Sequence, residues 1–502
     1  MKAIEGDDVT SPKKLQCCPS AIPALALSFV VLFSAGCGGG NSVSTVPPPP
    51  VTAKEWTWVG GSDKVVNGVP IVYGTQGVAS PGNTPGGLGG ASWIDSSGDL
   101  WVFGGSGNGP DNDLWEYSLA SKEWAWVSGC DTMPCDQSGR YGTEGTAAST
   151  NVPGGRGVSV SWVDTGGNFW LFGGQGYDSM GQNYYLNDLW EYAPTTKKWT
   201  WVSGSNLVLG KANYGSLGVA ASTNVPGARS NAVSWKDSNG NFWLFGGQGL
   251  DANGVFGSFN DLWEFSPSSK EWTWMSGGSA IDGKGFYGTL GAAASGNVPG
   301  ARYNAVSWAD NSGNLWLFGG FGYDSTGAEY DLNDLWEFSP SSKEWTWVSG
   351  TGTVGPNVGP DSCMSGVYGT EGTAAAANVP GGRNAAASWI DASGNLWLFG
   401  GLGCDASGTA GSLNDLWKFS TTSKTWTWQS GSNSVGAAQG GTGGPSGTYG
   451  TQGTAAISNS PGGRSSAISW TDPSGNLWLL GGSGHDSTGA YGNLDDLWSY
   501  TP

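Results

Sequence analysis

Five of the chain's six arginines stand at one recurring position, Arg156, Arg229, Arg302, Arg383 and Arg464, each ending a Pro-Gly-x-Arg tetrapeptide. Lysine supplies nearly all the other cations, so this position selects the planar guanidinium fork, which grips carboxylates or carbonyls bidentately. Two kinds of chemistry follow. In one, the forks form a cationic collar that binds an anionic ligand; in the other, each holds loop carbonyls or an acidic residue of its own repeat and defines the fold. Glu144 and Glu371, each three residues past a repeated Tyr, place acid–base groups in the same connections. Tyr177, Tyr184, Tyr185 and Tyr323 offer aromatic platforms on neighbouring loops.

Other chemistries are poorly served. His485 is the only histidine, so a Ser-His-Asp triad has no fixed context. Cys130-x4-Cys135 lacks the second pair that a structural zinc site needs, and neither a metal nor a cofactor is expected. The loops Asp178-Ser-Met-Gly, Asp251-Ala-Asn-Gly, Asp324-Ser-Thr-Gly, Asp405-Ala-Ser-Gly and Asp486-Ser-Thr-Gly carry no further carboxylate at EF-hand spacing and read as Asx turns.

The elements that position these groups come from one recurring stretch, typified by residues 299–350. Four short apolar runs, Asn304 to Ala309, Asn314 to Phe318, Asp334 to Phe338 and Glu344 to Val348, are separated by turn-forming Asp, Asn, Ser, Pro and Gly. They read as four strands. Leu315-Trp316-Leu317-Phe318 is apolar on both faces, which suits a strand covered on both sides by neighbouring sheets. Asp-Leu-Trp recurs at Asp113, Asp188, Asp261, Asp334, Asp415 and Asp496, and Trp-x-Trp begins at Trp56, Trp124, Trp199, Trp272, Trp345 and Trp426. Regular repetition of four-stranded units predicts an all-β, six-bladed propeller. The last repeat lacks its own Trp-x-Trp strand, and the surplus copy stands at Lys54 to Val59, so the N-terminal strand is expected to complete the last blade and close the ring.

The Gly-Gly pair ending each second strand, the aromatic residue after Asn-Asp-Leu, the Trp of the fourth strand and the Pro-x-x-Arg entering the first resemble kelch repeats, from about Lys54 to Pro502. The resemblance implies a β-propeller and leaves function open, because kelch propellers include protein-binding adaptors, actin binders, galactose oxidase and a sialic acid mutarotase. A galactose oxidase copper site needs two His, so that chemistry is excluded here. A mutarotase needs chiefly an Arg that grips a carboxylate and an acid or base such as Glu144 or Glu371. These repeats exceed the usual kelch period of about 50 residues, with the surplus between Trp-x-Trp and Pro-Gly-x-Arg.

Ahead of the repeats, residues 1–36 read as an export signal: Lys13 and Lys14 precede an apolar run from Ala21 to Ala35. Ser34-Ala-Gly-Cys37 resembles a lipobox, with Cys37 as the lipidation site, and residues 37–53 read as a Gly- and Pro-rich tether to the 54–502 propeller. A net charge of −19 argues against nucleic acid as a partner. An oxidising compartment suits the cysteines: Cys130 with Cys135, and Cys363 with Cys404, are the candidate disulfides.

If the strands run outward from an axis, the loops between second and third strands share one face with the long connections, and function is expected there. The first repeat breaks symmetry, with Leu88 at the Arg position and a short second loop, and the residues after Tyr-Gly-(Thr/Ser) run Gln76, Glu144, Leu217, Leu290, Glu371, Gln452. The reading is an exported, lipid-anchored, non-catalytic binding module at the cell surface, outer membrane or periplasm. It takes a glycan or protein ligand at the Arg-ringed face and meets membrane only through its lipid. The alternatives are a sugar-acid mutarotase and a structural or adhesive protein.

Overall fold

In the fourth repeat Val306–Ala309, Leu315–Phe318, Leu335–Ser339 and Glu344–Ser349 form one antiparallel sheet in that spatial order. Their register sets Trp308 opposite Trp316, Leu317 opposite Trp336, and Phe338 opposite Trp345. All four residues of Leu315–Phe318 are buried, as a strand with neighbours on both faces requires. The computed structural model describes residues 54–65, 71–85, 90–105, 110–131, 138–353, 363–436 and 443–502, and no helix occurs among them. The export signal, Cys37 and the tether lie outside the described residues, as do Leu88 and Cys135.

Turn chemistry sets the strand limits. Asp310 Oδ1 accepts from the Ser312 and Asn314 amides, its Oδ2 accepts from Trp316 Nε1, and Gly313 takes φ 82°. That arrangement ties a hairpin turn to a core indole. At the Gly-Gly pair, Gly320 takes φ 93°, and a Cβ there would lie 2.8 Å from the Tyr303 carbonyl oxygen, so only glycine fits. Beyond this kink the second and third strands continue as an outer hairpin that the four-strand reading missed. In the third and fourth repeats the kink makes that hairpin a separate three-stranded sheet, as in Arg302–Tyr303 with Phe321–Tyr323 and Glu329–Asp331. Eight antiparallel sheets among the described residues therefore arise from six repeats.

Neighbouring sheets pack through a recurring edge contact. Phe103 meets Trp199, Phe172 meets Trp272, Phe245 meets Trp345, Phe318 meets Trp426 and Phe399 meets Trp56, with centroids 5.2–5.5 Å apart. Along the innermost strands, Ser161 Oγ donates to the Ser92 carbonyl at 2.9 Å, and Ser307 repeats the contact to Ser234 at 3.2 Å. All six innermost strands line one cavity of about 330 Å³.

Glu55–Gly60 pairs antiparallel with Tyr491–Thr501, setting Trp56 opposite Tyr500 and Trp58 opposite Trp498. Trp56 is buried against Trp389, Phe399 and Tyr500. A further buried cluster joins Leu100, Trp115 and Trp124 of the first repeat to Trp470, Leu480 and Leu497 of the last.

Candidate functional site

In five repeats the arginine opens a two-residue strand just ahead of the innermost one, as Arg156–Gly157 precedes Val160–Val163, and its side chain is buried. Arg156 Nη1 and Nη2 donate to the two carboxylate oxygens of Asp188 at 2.6 and 2.7 Å. Its Nε reaches the Gly154 carbonyl, and Nη1 also reaches that of Gly173. Asp188 Oδ2 accepts two more bonds, from the Tyr141 hydroxyl and Trp190 Nε1, both at 2.7 Å. Arg229 with Asp261, Arg302 with Asp334, Arg383 with Asp415 and Arg464 with Asp496 copy this box. Burial, with Asp188 second, drives the Tyr141 hydroxyl far above its ordinary value, so it stays a donor to the carboxylate.

The expected cationic collar is corrected by this geometry. All five arginine side chains are at most 1% exposed and their forks are occupied by protein acceptors. A buried guanidinium needs an opposite charge and satisfied N–H groups, and the Asp of Asp-Leu-Trp, 32 residues on, supplies both. Arg140 is exposed, four residues before the equally exposed Glu144. Glu371 is also exposed, on the rim of a cavity shared with Lys54 and Asn459.

The first repeat keeps the box without the guanidinium. Asp113 accepts from Trp115 Nε1 at 2.7 Å, and no arginine reaches it among the described residues. Two residues earlier, Asp111 stands where the other repeats place buried Leu186, Phe259, Leu332, Leu413 and Leu494. Asp111 is 2% exposed and its Oδ1 has no hydrogen-bond partner among the described residues. Burial and then Asp113 push Asp111 up to about 7, and burial pushes Asp113 up to about 6. The sequence reading singled out Leu88 and overlooked Asp111. The signal was present: a carboxylate in a column otherwise Leu or Phe.

The outer hairpins carry the aromatic groups. Tyr185 of the second repeat stacks on Phe256 of the third, with centroids 5.6 Å apart and planes 23° apart, and Tyr184 meets Tyr185 edge-on at 4.9 Å. In the fourth repeat Tyr303 packs on Phe321 at 5.6 Å. Burial, then Glu329, Asp331 and Tyr185, hold the Tyr303 hydroxyl above its ordinary value. Tyr323 is half-buried beside them, its hydroxyl pushed up to about 12 by burial and then by Glu329 and Asp282. Asp331 accepts from Asn384 Nδ2 at 2.7 Å and is pushed up to about 6 by burial. Tyr177 ends its strand opposite Asn183, beside the turn at the tip of the second repeat's hairpin. Tyr184 and Phe256 are 44% and 50% exposed.

Cys363 and Cys404 are joined by a disulfide with Cα atoms 5.6 Å apart, fastening the connection before the fifth repeat to that repeat's hairpin. The Asp-x-x-Gly loops are Asx turns; Asp178 Oδ1, for instance, accepts from the Met180 and Gln182 amides.

Compared with known proteins, the chain matches no family model and no curated protein. Among solved structures, one described as the structure of YjhT covers 82% of this chain and 95% of that chain, at a TM-score of 0.46 and 14% identity. Likeness at that level carries no argument about activity.

Proposed function

We propose that the chain is an exported, lipid-anchored kelch-type propeller of six blades, closed by pairing of Glu55–Gly60 with Tyr491–Thr501, that binds a glycan without catalysis on its outer hairpins. The observation that carries this reading is the exposed aromatic cluster of Tyr184, Tyr185 and Phe256; a second cluster, Tyr303 on Phe321 with Tyr323 on the same hairpin, stands beside Glu329 and Asp331. Flat aromatic faces receive the C–H face of a sugar ring, and bordering carboxylates accept from its hydroxyls. With the repeat arginines engaged inside the blades, the surface favours neutral or amino sugars over acidic ones. The location that fits is the cell surface, outer membrane or periplasm, with lipid on Cys37 as the only membrane contact.

A glycan array with the purified 54–502 region, followed by titration of the best ligand, tests this. Phe256→Ala and Tyr184→Ala should each weaken binding about tenfold, a loss of about 1.4 kcal/mol, with unfolding midpoints near that of the parent. No glycan bound, or binding unchanged in both variants, refutes it and leaves a structural or adhesive role.

The mutarotase alternative now rests on Arg140 and Glu144, both exposed and on one connection. Acceleration of sialic acid anomer exchange that Arg140→Ala abolishes would establish it; unchanged exchange rates would end it.

A further inference from the structure

Two departures from the repeat meet in one cavity where the first and last repeats pack together. Five joints between neighbouring sheets carry the Phe–Trp edge contact, Phe399 with Trp56 being one. At the sixth, Leu480 takes the Phe position and Trp124 the Trp position, and both line a cavity of about 270 Å³. A leucine cannot cover the face that a phenyl ring covers elsewhere, so an aromatic-sized space stays open.

The second departure is polar. Preceding Asp-Leu-Trp, the other repeats carry Asn112, Asn187, Asn260, Asn333 and Asn414; the last carries Asp495. Asn187 Oδ1 accepts from the Ser205 amide, while its Nδ2 donates to the Pro226 carbonyl of the next repeat at 3.1 Å. Asn260 and Asn414 likewise donate to Pro299 and Pro461. Asp495 Oδ1 keeps the first role, accepting from the Ser62 amide at 2.9 Å. Its Oδ2 replaces a donor by an acceptor and has no hydrogen bond among the described residues, and Pro85, the matching proline, lines the same cavity. An ionised Asp495 and the Pro85 carbonyl are both acceptors, so neither can donate to the other as the asparagines do elsewhere. Tyr117, Leu494 and Leu497 supply apolar walls. Lys122 lies on the rim, exposed, with no ion pair to Asp495 among the described residues.

We infer that this cavity is a binding site for a small organic ammonium ion bearing an aromatic ring. The ring fills the place of the missing phenyl against Trp124 and Leu480, and the ammonium donates to Asp495 and to the Pro85 carbonyl, restoring the lost amide contact. A net charge of −19 favours the approach of a cation. The cavity belongs to the first and last repeats and shares no residue with the aromatic hairpins of the second to fourth.

Calorimetric titration of the purified protein with 2-phenylethylamine hydrochloride tests the site, with phenylacetate and benzyl alcohol as comparisons. The ammonium should bind at least tenfold more tightly than either. Leu480→Phe and Asp495→Asn each copy the residue found in the other repeats, so both should fold. Leu480→Phe should abolish binding and raise the unfolding midpoint; Asp495→Asn should reduce the ammonium to the affinity of benzyl alcohol. Absence of binding to the parent, equal binding of phenylacetate, or retained binding in Leu480→Phe overturns the inference.

Discussion

Arg302 and Asp334 meet as a two-pronged pair, Nη1 to Oδ1 at 2.7 Å and Nη2 to Oδ2 at 2.8 Å, with both side chains fully buried. Removing one partner strands the other charge. Arg302→Ala should lower the unfolding free energy by about 3–5 kcal/mol, read from urea denaturation. Arg302→Lys should recover only part of this, because a single ammonium cannot engage both oxygens and the Gly300 and Gly319 carbonyls together.

The first repeat predicts a pH dependence of opposite sign to that of a salt-bridged carboxylate. Asp111 and Asp113 are held at about 7 and about 6, above their unfolded values. Between pH 4 and those values the folded state therefore binds more protons than the unfolded state, and stability falls as pH rises through the window. Asp111→Leu, which copies the other repeats, should stabilise the protein by about 1–3 kcal/mol at pH 8 and by much less at pH 4.5. Thermal melts at the two pH values measure the difference.

Trp56 predicts the importance of the N-terminal strand. It is 3% exposed and contacts Trp389, Phe399, Trp498 and Tyr500, so Trp56→Ala leaves a large hole between two sheets. A loss of about 3–5 kcal/mol is expected. A chain starting after Gly60 should lose cooperative unfolding, with the partner strand Tyr491–Thr501 exchanging its amide hydrogens fastest.

The Cys363–Cys404 disulfide closes a loop across 41 residues. Cys363→Ser with Cys404→Ser should cost about 2–4 kcal/mol, and a reductant should shift the parent's midpoint to match the double variant. An unchanged midpoint in the variant would show that the connection is already ordered by its other contacts.

Periodicity in the sequence determined the secondary structure. Strand alternation, turn residues and the spacing of Asp-Leu-Trp locate four strands per repeat to within two residues in the fourth repeat, and the orphan Trp-x-Trp at Trp56 identifies the strand that pairs with Tyr491–Thr501. Those signals are local: each depends on a residue and its near neighbours in the chain. The outer hairpins beyond the Gly-Gly kink escaped notice because their residues vary between repeats and carry no alternation.

Only the tertiary structure decided which way the arginines face. The same five residues at a strand entrance serve a collar or a box, and the choice depends on an aspartate 32 residues away whose carboxylate enters the same buried volume. Burial is likewise what sets Asp111 apart from the other acids among 40 acidic residues, raising its pKa to about 7 with its Oδ1 lacking a partner among the described residues. It also brings Leu480 and Asp495, two unremarked deviations 15 residues apart, into one cavity. Sequence spacing carries the period of the strands, whereas charge pairing, desolvation and packing voids are properties of volumes shared by distant segments.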